Sequence, residues 1–487
     1  MRRELYNTMS VKSIKRGDIE KKEGIFVEKN VIKNKNNILN GPIWSNILLF
    51  AVPIALTAIL EQLFNASDIA VVGNFTGELK NVAMAAVGAN TPIIALIVNF
   101  FIGFSLGANV VIAKAYGEGK KNFICESVHT SIILSLISGL IIGGIGEISA
   151  PFILKSLQVP SDVYPLALAY LRIYFIGLPM ILLYNFEAAI FRSIGKTKTP
   201  LIALAISGVL NIILNLFFVI VLNMNVAGVA LATVISNVIS SVILFVILLK
   251  TKECIKVEIK KIRIYKKSLI EIFKIGFPSG AQGALFAISN IVIQLAINTL
   301  GADVMAGSSA AYNVEVFAYY IFNSFSQACT TFTSQNYGAG NYARCKKIYG
   351  ICLLEDLIAT VSSIALILLI GRPLLAIFND DKNVIAIGYS RLVVIFAGYI
   401  FSMTYEVTAG YLRGYGKSLV PAILTAIGIC VVRVIWIIFV FPTHNSFNTI
   451  LLIYPISLFI TAVLMVIALI VYRPTHRLIS LSNNTKS

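Results

Sequence analysis

The chain is a succession of apolar runs, each long enough for the roughly 20 residues that a helix needs to cross a bilayer, separated by short polar, basic or turn-forming segments. In the first half the runs fall near 46–72, 83–113, 126–149, 165–190, 200–222 and 226–249; in the second they fall near 269–299, 304–334, 348–370, 384–411, 419–441 and 448–472. Within each run the apolar residues are continuous and do not alternate at every second position, so the pattern predicts helices and not the strands of a barrel. The expected fold class is an all-α polytopic membrane protein with twelve transmembrane helices.

The two sets of six are copies of one unit. Arg192, Gly195, Lys196 and Pro200 recur as Arg413, Gly416, Lys417 and Pro421, each 221 residues later. The same shift carries Tyr116 and Gly117 onto Tyr337 and Gly338, Gly177 onto Gly398 and Phe104 onto Phe325. Two homologous six-helix lobes around a central cavity are the expectation, with cargo bound between lobes that rock against one another. The pattern divides the chain into a basic flexible tail 1–42, an amino-terminal lobe 43–250, a basic linker 251–267, a carboxy-terminal lobe 268–472 and a second tail 473–487.

Composition agrees with this class, since 57% hydrophobic and 13% charged residues do not describe the surface of a soluble protein. If the amino terminus is cytoplasmic and the chain crosses at every run, 32 Lys and Arg lie in cytoplasmic segments and 4 outside them, namely Lys80, Lys155, Arg372 and Lys382. That bias supports twelve crossings and places both termini in the cytoplasm of a plasma-membrane protein. The net charge of +17 is spread over those loops; anionic lipid headgroups are its expected counter-charge. Nucleic acid is not an expected partner, because no basic surface is interleaved with aromatics.

Several chemistries drop out. Gly195-Lys196-Thr197 and Gly416-Lys417-Ser418 copy the end of a phosphate-binding loop, but that motif's first glycine would fall on Ile190 and Tyr411. Tight turns, and no ATP site, are expected there. The six cysteines form no CxxC pair, the three histidines (His129, His444 and His476) are isolated, and HExxH is absent. No enzyme activity, cofactor or metal centre is expected, beyond H+ or Na+ as a coupling ion.

Ionisable residues inside a span are costly, about 2.5 to 3.5 kcal/mol at mid-bilayer, and are rarely kept without a use. The first run holds Glu61, Asn65 and Asp68 at i, i+4 and i+7, within about 60° of each other on a helix. That stripe is expected to face an internal cavity that water reaches. On the fifth run Ser207, Asn211 and Asn215 lie four apart, and Thr233 follows on the sixth. With Asp68 they form a candidate cation site; a static hydrogen-bond network between helices is the competing reading.

At this point the residues resemble a known family. Pro53, Asn65-Ala-Ser-Asp68 running to Gly73, Ala115-Tyr116-Gly117, Phe191-Arg192-Ser-Ile-Gly195-Lys196, Asn211 to Asn215 and Gly228 to Thr233 are together similar to the multidrug and toxic compound extrusion (MATE) family. The resemblance implies two six-helix lobes in a V, exporting cationic or amphiphilic compounds in exchange for H+ or Na+. It implies ion coupling at Asp68, Asn211 and Thr233. Where many members have Asn-x-x-x-Asp this chain has Asn211-x-x-x-Asn215, so one expected charge is absent; Glu61, two turns from Asp68, is the candidate substitute.

The second half carries no matching acid site. An offset of 225 in the first helix places Ile293 opposite Asp68 and Phe286 opposite Glu61, so ion handling is assigned to the amino-terminal lobe. Cargo-cavity candidates are Asn65, Ser207, Gln282, Asn290, Gln294 and Glu406. Glu187 and Glu406 are also expected to pair with Arg192 and Arg413. The expectation is a monomeric antiporter of small amphiphiles in membrane lipid. The alternatives are a lipid-linked saccharide flippase, whose anionic cargo would call for cavity arginines (Arg172, Arg391 and Arg433 being the candidates), and a passive channel or scaffold.

Overall fold

A computed structural model describes residues 38–474. The tail assignments for 1–37 and 475–487 lie outside the described residues.

Among the described residues twelve long helices follow one another. They are α1 (Ile43–Phe75), α2 (Lys80–Gly117), α3 (Lys121–Ser156), α4 (Tyr164–Ser193), α5 (Lys198–Leu216, with a π-helical end Phe217–Val221) and α6 (Asn225–Lys250). In the second half come α7 (Lys266–Asn298), α8 (Ala302–Gly338), α9 (Tyr342–Leu369), α10 (Lys382–Gly414), α11 (Leu419–Thr443, broken by π-helical turns) and α12 (Phe447–Tyr472). No strand occurs among the described residues.

Eleven of these are apolar enough to cross a membrane on composition alone, and the exception is α8. It is as long as its counterpart α2, at 37 residues against 38. Its polar residues, Ser324, Thr330, Thr331, Thr333, Gln335 and Asn336 among them, are buried. Neighbours α1, α2, α9 and α10 enclose it, so its polar face meets protein and not lipid, where unsatisfied groups would be costly.

The duplication shapes the contact between halves. The first helix of each half packs on the second helix of the other: α1 on α8, and α7 on α2. The α2–α7 seam carries Gly103-x-x-x-Gly107 on one helix and Gly276-x-x-x-Gly280 on the other, the small-residue spacing that lets helix backbones touch. A Cβ placed on Gly107 would lie 2.6 Å from the Gly276 nitrogen. On the α1–α8 side, Phe50 meets Phe332 edge to face at 5.3 Å. Thr331 donates to Asn109 at 3.0 Å, Gln335 to the Ser193 carbonyl at 2.6 Å, and Tyr320 to Gln62 at 3.3 Å. All these contacts lie between the level of Gln62 and the end of the bundle bearing the lysine-rich turns, called here the basic end. Gln62 also donates to Asn313 of α8 at 3.5 Å, seven residues further from the basic end than Tyr320.

The turns that mimic phosphate loops are helix caps. Gly195 (φ +87°) and Gly416 (φ +76°) are left-handed, a conformation glycine adopts without strain. Lys196 N–H donates to the Phe191 carbonyl and Gly195 N–H to that of Arg192, with Lys417 to Leu412 and Gly416 to Arg413 repeating the pattern. This is the Schellman closure of α4 and α10.

One assignment at the start of the first half changes. Residues 38–42, read as flexible tail, include Ile38, which is buried and whose carbonyl accepts from Asn336 and Arg344. The linker 251–267 is tethered, with Ile255 and Val257 buried and the Glu258 N–H donating to His129 at 2.9 Å.

Candidate functional site

Two polar regions stand out, one inside the first half and one between the halves.

In the first, α1, α5 and α6 converge on Asp68. Its Oδ1 accepts from Asn215 Nδ2 at 2.6 Å and its Oδ2 from Thr233 Oγ1 at 2.8 Å. Asn215 Nδ2 also donates to Asn211 Oδ1 at 3.2 Å, and Asn211 Nδ2 to Thr233 Oγ1 at 3.4 Å. The four side chains thus close a ring. The approach of α5 to α1 depends on Gly208, where any side chain would collide with the Phe64 ring. The groups now facing the carboxylate, the Asn215 amide N–H and the Thr233 hydroxyl, donate to it; the four side chains also carry carboxylate, amide and hydroxyl oxygens, the ligand type of a hard cation. Asn215 Oδ1 is buried with no hydrogen-bond partner, and such an orphaned acceptor is costly unless something fills its demand.

The polar stripe of α1 does not stay together. Asp68 is turned into the lobe and 3% exposed, whereas Asn65 is exposed and Glu61 half-buried. The expected water-reachable surface therefore gives way to an enclosed site in this conformation, because Asn215 of α5 and Thr233 of α6 cover Asp68. Among the described residues Glu61 forms no hydrogen bond or ion pair, and it does not join the Asp68 ring.

The second region is a cleft between the halves, enclosing about 960 Å³ including the space open at its mouth. Of the cargo candidates, Gln282 and Glu406 line it. The other four do not: Asn65 is exposed, Ser207 is buried against the Leu204 carbonyl, Asn290 accepts from Arg433, and Gln294 donates to Asn298. Arg192 and Arg413 line the cleft too. Arg192 Nη1 donates across the lobes to Gln327 Oε1 at 3.2 Å, and Arg413 Nη2 to Gln282 Oε1 at 2.8 Å.

The expected acid–arginine pairs are half present. Glu406 lies 4.0 Å from Arg413, but Glu187 takes Ser241 and not Arg192. The three arginines named as cavity candidates are elsewhere: Arg391 is clamped by Glu315 at 2.8 and 3.1 Å, Arg172 pairs with Glu147, and Arg433 lies over Phe286 and Tyr454. Sequence reading missed Arg192 and Arg413 because both stand beside turn glycines. Their exact duplication, in helices otherwise free to diverge, was the signal. It also missed Glu355 and Asp356 of α9, which are buried, with both Glu355 oxygens unpartnered.

Comparison with known proteins places the chain. A family model described as MatE matches residues 53–217 and 278–439, one stretch in each half, and a model described as lipid II flippase MurJ matches residues 160–292. The probable multidrug resistance protein YoeA of Bacillus subtilis is 26% identical over 402 residues, covering 80% of this chain and 86% of that protein. The probable multidrug resistance protein NorM of Thermotoga maritima is 26% identical over 393 residues, covering 80% and 83%. Among solved structures, an outward-facing multidrug resistance MATE transporter of the MOP superfamily superposes with a TM-score of 0.83 at 21% identity, covering 92% of this chain and 99% of its own. A MOP superfamily transporter from Pyrococcus furiosus, described as having a binding pocket of reverse polarity that suggests a different function, gives 0.82 at 20% identity, covering 89% and 96%.

Proposed function

Because the chain belongs to the MatE family, whose model matches more than half of it in two repeated stretches, we propose that it is a secondary antiporter. It exports cationic or amphiphilic compounds across the plasma membrane in exchange for H+ or Na+, by alternating access. The Asp68 ring carries this reading: a carboxylate closed in by Asn215, Asn211 and Thr233, with an acceptor of Asn215 left over.

The chemistry of coupling follows from α1. This one helix holds Asp68 in the ring and, two turns earlier, Gln62, which accepts from Tyr320 of α8 across the lobes. A cation arriving at Asp68 takes lone pairs that now accept from Asn215 and Thr233. Those donors must turn, α5 and α6 shift against α1, and the displacement reaches the α1–α8 contact. Both termini are assigned to the cytoplasm, so the basic end is the inner gate and is shut in this conformation. Each net charge moved down 100 mV supplies about 2.3 kcal/mol, about a fortyfold concentration ratio, so a monovalent cation exchanged one for one draws only on the ion's own gradient.

Purified protein in proteoliposomes, given pH or sodium gradients one at a time, identifies the ion. Asp68→Asn is expected to fold and bind cargo but to lose gradient-driven efflux. Undiminished efflux in that variant defeats the assignment. The MurJ match and the two cleft arginines favour one second reading, a lipid-linked saccharide flippase, and a lipid-flipping assay on the same vesicles decides between them.

A further inference from the structure

The internal repeat puts one arginine from each half into the same cleft, Arg192 and, 221 residues on, Arg413. Buried arginines normally face carboxylates, as Arg391 faces Glu315 here. Arg413, which is buried, and Arg192, which is half-buried, both dock on neutral amide oxygens, those of Gln282 and Gln327, and among the described residues only Arg413 has a carboxylate within 4.0 Å. Among the described residues Glu406 is the one acid lining the cleft; it stands 4.0 Å from Arg413 and also accepts from Ser326. Its counterpart in the first half is Asn185, which donates to the Ile181 carbonyl, so Arg192 has no acid in the equivalent place. Glu61 forms no ion pair with Arg192 among the described residues. Arg413 Nε is buried without a partner. The lining therefore holds two guanidinium groups against one carboxylate.

We infer that the cleft takes amphiphiles bearing an anionic group, a carboxylate or phosphate, seated on Arg192 and Arg413 in place of the glutamine oxygens. Guanidinium forks match both oxyanions. The apolar part of the cargo lies against Phe50, Ile54, Phe286 and Tyr319, which share the lining. This narrows the cargo of the export reading to zwitterionic and anionic amphiphiles. Because Gln327 belongs to the other half, a cargo oxyanion that displaces it also releases one of the bonds holding the basic end shut. The inference rests on the export reading only for the direction of movement, since binding is measured without a gradient.

The test uses full-length protein in nanodiscs and three coumarin dyes that share one alkyl body and end in a carboxylate, its methyl ester or a primary amine. The carboxylate is expected to bind at least about tenfold tighter than the ester, the scale of hydrogen bonds to a charged group. Arg192→Gln and Arg413→Gln each reduce that preference to within about twofold, while Lys80→Gln, an exposed charge at a helix start, leaves it intact. Gln327→Leu frees Arg192 and is expected to keep or sharpen the preference, which covers the case of an arginine variant that fails to fold. Equal or tighter binding of the ester or amine by the wild type overturns the inference. Displacement of the carboxylate dye by a lysophosphatidate, and not by a carboxylate of equal chain length, assigns a lipid headgroup as the source; the reverse assigns a soluble carboxylate. Loss of gradient-driven efflux with the carboxylate preference retained would remove the antiport reading and leave this one standing.

Discussion

Substituting Gly107 by alanine tests whether the α2–α7 seam is the gate. The added methyl would sit 2.6 Å from the Gly276 nitrogen and 2.7 Å from its Cα, both backbone atoms on the facing helix that cannot swing aside. Overpacking of this kind costs about 1–3 kcal/mol, and it applies only where the two backbones touch. A conformer open at the basic end escapes the clash. The closed-to-open ratio is therefore expected to fall by about 5- to 140-fold. Gly144→Ala is the control, since nothing lies within 4 Å of a Cβ there. Spin labels on the exposed positions Asn122 and Lys347, introduced as N122C and K347C after replacement of the native cysteines, report the separation of the basic ends. Gly107→Ala should populate a longer distance, and Gly144→Ala should not. A lowered melting temperature with an unchanged distance distribution refutes the reasoning, because the seam would then be static packing.

Asn215→Asp places a second carboxylate at the 2.6 Å contact with Asp68; two bare charges that close repel strongly. The variant's melting temperature is expected to rise with added sodium or acid more steeply than the wild type's, and a flat response would show that no cation enters the ring. Arg391→Met strands the buried Glu315 and should cost about 3–5 kcal/mol, whereas the E315Q/R391M pair recovers most of that, as read by thermal unfolding. The Cys254 thiol, in the linker between the halves, is pushed up to about 11 by burial and then by the neighbouring Glu253 charge. Its alkylation by iodoacetamide should be slow at pH 7.5 and rise about tenfold per pH unit until the pH reaches that value; a plateau near pH 8.5 contradicts this.

The helices were legible because a bilayer imposes one requirement on every span. Their ends were less so: α1 runs 43–75 where the apolar run covers 46–72, since helices continue past the hydrocarbon into polar turns. The membership of the Asp68 ring could be read from spacing within α5, but Asp68 and Asn65, three residues apart, end in different surroundings. Only the packing of α5 at Gly208 decides which side of α1 is covered. The arginines were harder. Arg192 and Arg413 belong to turns by their position in sequence and to the cleft by the reach of their side chains, and a long flexible stem hides that from any reading of spacing. The residues of α7 and α8 that bond across the lobes, such as Gln327, carry no sequence signal without a partner.

Helix α8 has a consequence for how the protein is made. Its first part holds Asp303 and Glu315, and its second half is rich in hydroxyl and amide groups, so as an isolated segment it would leave an insertion machinery towards water more readily than towards lipid. It follows α7 after a three-residue turn ending at Gly301 (φ +101°), tight enough for the two to enter as one hairpin. The polar interior that serves transport is thus delivered to the bilayer by a more apolar neighbour, and a longer α7–α8 loop would show itself first as protein lost during synthesis.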